Sequence, residues 1–126
     1  AVFNSLSFLE ETDEGVVEKP ADPTHLGDVV LGRKDSGTSY HLSSVLDDAE
    51  QGVTHVTRGE DLREAAALHV LLHRLMGLTP PVYRHHRLIL DSAGKRLAKR
   101  DKSATLRHMR EIGVTADEVR TRLFPA

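Results

Sequence analysis

Short apolar runs alternate with helically spaced apolar residues along the middle of this chain, and that alternation restricts the possible folds more than any other feature. Apolar, partly β-branched runs predict strands at 27–33, 53–57 and 83–90. Between them, apolar residues recur at the spacing of a helix from 42 to 49 and from 61 to 76. Alternation of this kind predicts βαβ units with a parallel sheet. We therefore expect an α/β fold with a partial Rossmann-like parallel sheet and flanking helices.

The two ends of the chain carry different patterns. Residues 1–26 are polar and punctuated by glycine and proline, so loops or a hairpin are expected there. Two short helices are predicted at about 103–112 and 115–124, the second beginning after an N-cap at Thr115. The sheet is therefore expected to be followed by a short helical segment.

The bulk composition is that of an ordinary soluble globular domain, with 39% hydrophobic and 29% charged residues. No apolar run approaches the roughly 18 residues of a membrane span, so no membrane partner is expected. The absence of cysteine excludes disulfides and thiolate metal sites and is consistent with a reducing cytoplasm, the expected location. A formal net charge of −2 gives no general attraction for nucleic acid, so any RNA contact requires a local patch.

Lysine and arginine are concentrated between Arg84 and Arg110, most densely in the segment 95–102 that follows a predicted strand. Within this segment, Lys99 is a mobile point charge that can follow negative charge on a phosphate, and Arg96 can bind an anion bidentately. Ligands of open α/β sheets bind beyond the carboxyl ends of the strands. The segment is therefore expected to bind an anion such as a nucleotide, and the alternative is an ordinary solvated basic surface.

A second polar segment follows the predicted strand at 53–57. Arg58 is suited to hold a substrate carboxylate, and Gly59 would allow a ligand to approach the backbone closely. Glu60 is interpreted either as a partner of the helix dipole or as a ligand to a ribose hydroxyl. Asp61 is interpreted either as a ligand contact or, preferably, as the cap of the next helix.

One tyrosine and four histidines complete the candidates. Tyr40 stands at a predicted junction of strand and helix, where its hydroxyl would face a site unless the ring is simply packed. His69 and His73 have the i, i+4 spacing of zinc ligands, but they lie on the apolar stripe and are preferred as core residues. His85 and His86 are neighbours on a strand and point to opposite faces. No protein-bound metal is predicted.

Several segments resemble the class I glutamyl-tRNA synthetases, over about residues 24 to 123. They are Tyr40–Leu42, Val45–Asp48, Gly52–Leu62, and Leu88–Leu90 followed by Arg96–Arg100. The last segment resembles the mobile KMSKS loop of that class, with Arg96 at its first lysine position and Ala98 at its serine position. The ending is more similar to the short branch of this family, the glutamyl-Q tRNA(Asp) synthetases, which have no anticodon-binding domain.

The resemblance implies an ATP-dependent ligase that activates glutamate as an adenylate, with Mg²⁺ bound to the ATP. It implies that Tyr40 and Arg58 contact the glutamate and that Lys99 is the catalytic lysine that stabilises the phosphates of ATP. Arg96, Gly59 and Asp61 complete the expected ATP-binding set. In the short branch, the glutamate is transferred to queuosine of tRNA(Asp).

The resemblance also implies a division of the chain. Residues 1–26 are expected to be a remnant of an upstream acceptor-binding insertion, residues 27–102 the second half of the nucleotide-binding catalytic domain, and residues 103–126 a short helical segment. The HIGH motif and any zinc segment of the family are expected upstream, so this chain alone is expected to be inactive. Two alternatives remain: a truncated enzyme that charges tRNA(Glu), and a non-catalytic RNA-binding module that uses the basic face.

Overall fold

The computed structural model describes residues 6–90, 94 and 105–124. It separates the chain into two compact units, Ala1–Arg87 and Leu88–Ala126. None of the helices in the described ranges is long and apolar enough to cross a membrane. The boundary predicted after residue 102 lies outside the described residues, and the proposed origin of residues 1–26 stays a prediction.

The first unit begins with an antiparallel hairpin. Strands β1 (Ser7–Thr12) and β2 (Gly15–Pro20) pair along their whole length, with Thr12 opposite Gly15 at the turn. Gly15 has a φ of 122°, which a residue with a side chain rarely adopts, and this explains the glycine at the turn. The hairpin expected as one possibility for this region is thus present.

The strand predicted at 27–33 is wrong. Within this range Gly32–Arg33 forms a strand (β3), and its partner is Gly37–Thr38 (β4) in a separate antiparallel sheet of two strands. Gly27 follows a 3₁₀ turn and has φ 62° and ψ −147°, which is not a strand conformation. The apolar side chains of Val29 and Leu31 pack beside a buried cluster without joining the main sheet. Their apolar character reflects this packing rather than pairing.

The following elements appear in the predicted order. Helix α1 spans Tyr40–Glu50, strand β5 spans His55–Gly59, helix α2 spans Arg63–Leu75 and strand β6 spans Val82–His86. The predicted strand at 83–90 therefore ends four residues early. Helix α1 begins after Ser39, whose side chain accepts a hydrogen bond from the backbone N–H of Leu42.

The main sheet has the strand order β2-β1-β6-β5. Strands β5 and β6 are parallel, with Arg58 opposite His85, and β1 is parallel to β6, with Glu10 opposite Tyr83. A mixed α/β fold with a parallel sheet and helices is therefore confirmed. The hairpin adds an antiparallel strand at one edge, which the simple alternation of strands and helices did not predict.

The core of this unit lies between α2 and the sheet. Helix α2 contributes a run of buried residues from Ala66 to Val70, and the sheet contributes buried side chains including Phe8 and Tyr83. A smaller cluster joins α1 to the other side of α2 through Val45, Leu68 and Leu72. Because α2 is packed on two sides, the polar residues that it carries inward are held firmly.

The second unit contains the two short helices predicted from the sequence. Helix α3 spans Leu106–Glu111 and helix α4 spans Ala116–Leu123. Thr115 caps α4 in a reciprocal capping box with Glu118, as the sequence predicted for the threonine. Hydrogen bonds from the Thr115 backbone and side chain lower the pKa of Glu118.

Candidate functional site

A buried arginine near the carboxyl end of β5 organises the polar interior of the first unit. Arg58 is only 8% exposed. Its Nε atom donates to His85 Nε2 of the neighbouring strand over 3.4 Å, and its Nη1 atom donates to His69 Nδ1 of α2 over 3.1 Å. The parallel register of β5 and β6 and the inward face of α2 thus bring three distant positions of the sequence together.

Because a guanidinium can only donate hydrogen bonds, Arg58 fixes the tautomers of both histidines. His69 accepts at Nδ1, so its ring proton is on Nε2 and is donated to His41 Nδ1 over 3.0 Å. His85 accepts at Nε2, so its proton is on Nδ1 and is donated to Glu10 Oε1 over 2.7 Å. Two chains of hydrogen bonds therefore lead away from the same guanidinium.

The two imidazole rings that accept hydrogen bonds from Arg58 are kept neutral by their surroundings. Burial, reinforced by the positive charge of Arg58, lowers the pKa of His69 to about 3. Burial also lowers the pKa of His85, although its hydrogen bond to Glu10 acts in the opposite direction. Both rings are therefore neutral acceptors toward Arg58 near neutral pH, in agreement with the tautomers that its donors require.

An aromatic ring supports the same guanidinium. The Arg58 Cζ atom lies 4.8 Å from the centre of the Tyr83 ring, the geometry of a cation–π contact. The Tyr83 ring is in turn stacked on the His85 ring, with 6.3 Å between centroids, and is met edge-on by Phe8. Burial raises the pKa of Tyr83 to about 12, so this residue stays neutral at physiological pH.

A carboxylate closes the second chain. Glu10 on β1 is 2% exposed and is bonded through Oε1 to His85 and through Oε2 to Arg63 Nη1, at 2.9 Å. Arg63 lies at the start of α2, with a side chain that is 45% exposed. Glu10 therefore has a balancing cation, and the neutral ring of His85 separates its charge from Arg58.

Two buried nitrogen atoms remain without a hydrogen-bond partner among the described residues. They are Arg58 Nη2 and His73 Nε2. His73 is 1% exposed and donates through Nδ1 to the backbone carbonyl of His69 over 2.8 Å, which makes it part of the helix core. His69 is 3% exposed, so the preference for core histidines at both positions is confirmed.

Tyr40 lies at the first position of α1, next to the histidine chain. Its ring centroid is 5.9 Å from that of His69 and 5.5 Å from that of His41. With 56% of its surface exposed, it is not a packed core aromatic. Tyr40 and Arg58, which the resemblance assigns to the same glutamate, thus border the same imidazole.

The structure tests two interpretations of the segment after Arg58, those of Gly59 and Asp61. Gly59 has φ −66° and ψ 150°, a conformation open to every residue, so the backbone alone does not require glycine there. Asp61 is exposed and lies within a 3₁₀ turn, Glu60–Leu62, that precedes α2. The N-cap position of α2 is occupied by Leu62, and the interpretation of Asp61 as that cap is wrong.

Lys99 and Arg96 lie outside the described residues, so their expected roles in ATP binding stay predictions from the resemblance. Within the described ranges, no group of three or more histidine, aspartate or glutamate residues is arranged to hold a metal ion.

Sequence reasoning missed Glu10, His41 and the supporting role of Tyr83. The sequence does contain a signal for Glu10. It lies two positions after Phe8 on the same strand, and residues two apart point to the same face of a sheet, here the inward one. An acidic residue at an inward position requires a partner, and that requirement points to a polar network. No local pattern marks His41 or relates Tyr83 to Arg58.

Comparisons with known proteins identify the family of the chain. The chain matches the family of tRNA synthetases class I (E and Q), catalytic domain, over residues 9–123. A glutamyl-Q tRNA(Asp) synthetase from Rhodobacter capsulatus is 63% identical over 95 residues, which are 75% of this chain and 34% of that protein. A glutamate–tRNA ligase from a Synechococcus strain is 37% identical over 97 residues, which are 77% of this chain and 20% of that protein.

A solved structure has the same fold. The crystal structure of a glutamate tRNA ligase from Elizabethkingia meningosepticum in complex with its amino acid has a TM-score of 0.62 and 36% sequence identity, covering 78% of this chain and 19% of that one. The chain spans about a third of the length of the glutamyl-Q relatives it matches. Since the family match extends over most of the sequence, the chain belongs to the class I (E and Q) tRNA synthetase catalytic-domain family.

Proposed function

We propose that the protein containing this chain activates glutamate with ATP and transfers it to a tRNA, and that this chain forms one wall of the glutamate site. Arg58 carries the proposal. Its guanidinium is buried and held by two histidines and a tyrosine, yet Nη2 has no hydrogen-bond partner among the described residues. A buried donor without an acceptor is costly, and a carboxylate is the acceptor that a guanidinium binds best.

Tyr40 is the second proposed contact to glutamate. It is exposed, and its ring approaches His69, which accepts a hydrogen bond from Arg58. We therefore propose that a ligand whose carboxylate is held by Arg58 also contacts Tyr40. The tyrosine hydroxyl can both donate and accept, which suits an amino acid that carries ammonium and carboxylate groups.

ATP is proposed to bind beyond the carboxyl end of β5, where Gly59 and Asp61 begin the turn that leads into α2. Lys99 and Arg96 are proposed to bind its phosphates, and Lys99 to stabilise the charge that develops as the adenylate forms. Mg²⁺ would arrive with ATP as part of the substrate.

For the RNA acceptor, we propose queuosine of tRNA(Asp). Support comes from the 63% identity to a relative named for that activity. The second candidate, charging of tRNA(Glu), is favoured by the relatives and solved structures named glutamate–tRNA ligases, at 36–37% identity. Because ATP and tRNA are the proposed substrates, the cytoplasm is the proposed site of action.

Two assays on the full-length gene product test this function. The first is ATP–pyrophosphate exchange, which is expected to require glutamate; exchange that ignores glutamate would contradict the proposal. The second is transfer of radiolabelled glutamate to purified tRNA(Asp) with queuosine, to the same tRNA without queuosine, and to tRNA(Glu). Labelling of the first RNA alone is expected, whereas labelling of tRNA(Glu) alone would favour the second candidate.

A further inference from the structure

The partners that the described residues offer to Arg58 are all neutral. Among the described residues, no carboxylate lies within ion-pair distance of its guanidinium, and its two hydrogen bonds go to the imidazole rings of His69 and His85. A buried arginine is usually paired with an acidic residue, because an isolated buried charge is strongly unfavourable. The absence of such a partner from the described part of the chain is therefore informative.

We infer that His69 and His85 are positioning residues that set the specificity for an anionic amino-acid side chain. They fix the guanidinium of Arg58 by neutral hydrogen bonds and leave its positive charge uncompensated until a carboxylate ligand binds. This inference rests on the proposed function and deepens it, because it explains how the site would distinguish glutamate from glutamine.

The positions of the two rings support this inference. His69 approaches Nη1 from α2 and His85 approaches Nε from β6, while the Tyr83 ring lies 4.8 Å from the guanidinium carbon. These contacts use two of the three nitrogen atoms of Arg58, and no described residue is a hydrogen-bond partner of Nη2. The side chain is thus oriented by contacts that do not occupy all of its donors.

Glu10, the carboxylate that the described residues contribute to this network, does not neutralise Arg58. Glu10 bonds to the far side of the His85 ring, and its second oxygen is paired with Arg63 at 2.9 Å. Arg63 therefore balances Glu10, and Arg58 keeps its own charge. A carboxylate in direct contact with Arg58 would remove that charge and the preference for an anionic ligand.

The chemical consequence concerns glutamate and glutamine. Both side chains have nearly the same shape, and both present an oxygen that can accept from Arg58. The glutamate side chain brings a negative charge to the buried cation, whereas the glutamine side chain is neutral. An uncompensated Arg58 that contacts the side chain therefore favours glutamate, and a neutralised one would lose most of that preference.

The test compares His69→Gln with His69→Glu in the full-length protein. The two substitutions have nearly the same shape, and each keeps an oxygen acceptor, but only the second places a negative charge beside Arg58. We expect the glutamate KM of His69→Glu to exceed that of His69→Gln by about tenfold or more, the range of one charge-assisted hydrogen bond. The kcat values should differ by less than about threefold, because the contact is made in the ground state as well.

The same variants are assayed with glutamine, and the ratio of kcat/KM for the two amino acids is compared. His69→Glu is expected to reduce the preference for glutamate by about tenfold relative to His69→Gln. His69→Leu, which lacks an acceptor, should weaken glutamate binding, and His69→Gln should recover most of the loss. Equal glutamate KM values and equal preference in the Gln and Glu variants, with both folded by thermal unfolding, would overturn the inference.

If His69→Glu does not fold, a second pair of variants, at Arg63, tests the same inference. Arg63 is partly exposed, so Arg63→Gln should fold, and it leaves Glu10 without its balancing cation. We expect Arg63→Gln, but not Arg63→Lys, to raise the glutamate KM by about threefold or more, and an unchanged value would overturn the inference. Lack of glutamate-dependent exchange in the wild type would instead refute the proposed function, and this inference with it.

Discussion

Arg58 and Tyr83 form a buried cation–π pair, in which the guanidinium carbon lies 4.8 Å from the centre of the ring. The two residues are on adjacent parallel strands, and Tyr83 is 1% exposed. The Tyr83 ring therefore contacts the proposed glutamate-binding arginine and at the same time fills the core between the sheet and α2.

This double role predicts how substitutions at Tyr83 affect stability. Tyr83→Ala should lower the free energy of unfolding by about 3–5 kcal/mol, because it leaves a cavity the size of an aromatic ring. Tyr83→Phe keeps the ring and should cost less than about 1.5 kcal/mol. Urea denaturation of the two variants checks this, and equal losses would mean that the ring does not fill the core.

Arg58 itself is predicted to act mainly on glutamate affinity. Arg58→Ala should raise the glutamate KM by about 100-fold, because the ligand carboxylate loses its charged partner. Arg58→Lys should recover only part of this loss, since an ammonium cannot form a planar two-point contact. Steady-state pyrophosphate exchange over a range of glutamate concentrations measures both effects.

The exposed arginine at the end of α2, Arg74, provides the control for that experiment. Arg74→Ala removes the same charge at a surface position and should leave the glutamate KM unchanged. If Arg58→Ala and Arg74→Ala behave alike, Arg58 does not bind the glutamate.

The sequence predicted those parts of the fold that depend on local pattern. Helix α2 was recognised because its apolar residues recur at helical spacing and because Gly77, with φ 67°, stops it. The prediction of a strand at 27–33 is wrong because apolar character indicates that residues are buried but not which strand they pair with. Val29 and Leu31 are packed against the helices rather than aligned with a strand.

The candidate site likewise contains residues that the sequence indicates and contacts that it does not. The sequence indicates Arg58 and Tyr40 as candidates because the first follows a predicted strand, the second precedes a predicted helix, and both match a family pattern. The hydrogen bond between Glu10 and His85 joins residues that are 75 positions apart. It exists only because β1 pairs with β6, and neither strand contains a signal for that pairing.

Lys99 is predicted to act on the chemical step rather than on glutamate binding. Lys99→Ala should slow formation of the adenylate by about 100-fold or more, because it removes a charge that stabilises the transition state. The matched control is Lys95→Ala, which removes one lysine from the same basic segment and should have a much smaller effect. Single-turnover measurement of adenylate formation separates this step, and an unchanged rate in Lys99→Ala would exclude the lysine from the mechanism.

The depressed pKa of His69 predicts a loss of stability in acid. In the folded protein this pKa is about 3, whereas in the unfolded chain it is near its ordinary value of 6.5. Below pH 6.5 the unfolded state therefore binds a proton that the folded state does not, and stability falls as the pH decreases toward 3. In the middle of that range, His69 is expected to lower the free energy of unfolding by up to about 1.4 kcal/mol for each unit that the pH decreases.

His69→Gln isolates that contribution, because glutamine keeps an acceptor for Arg58 and does not titrate. Between pH 7 and pH 4, the unfolding temperature of the wild type is expected to fall more steeply than that of His69→Gln. The lowered pKa of His85 acts in the same direction and remains in the variant, so the slope should be reduced rather than abolished. Parallel curves for the two proteins, measured by differential scanning calorimetry in the same buffers, would show that His69 is protonated equally in the folded and unfolded states.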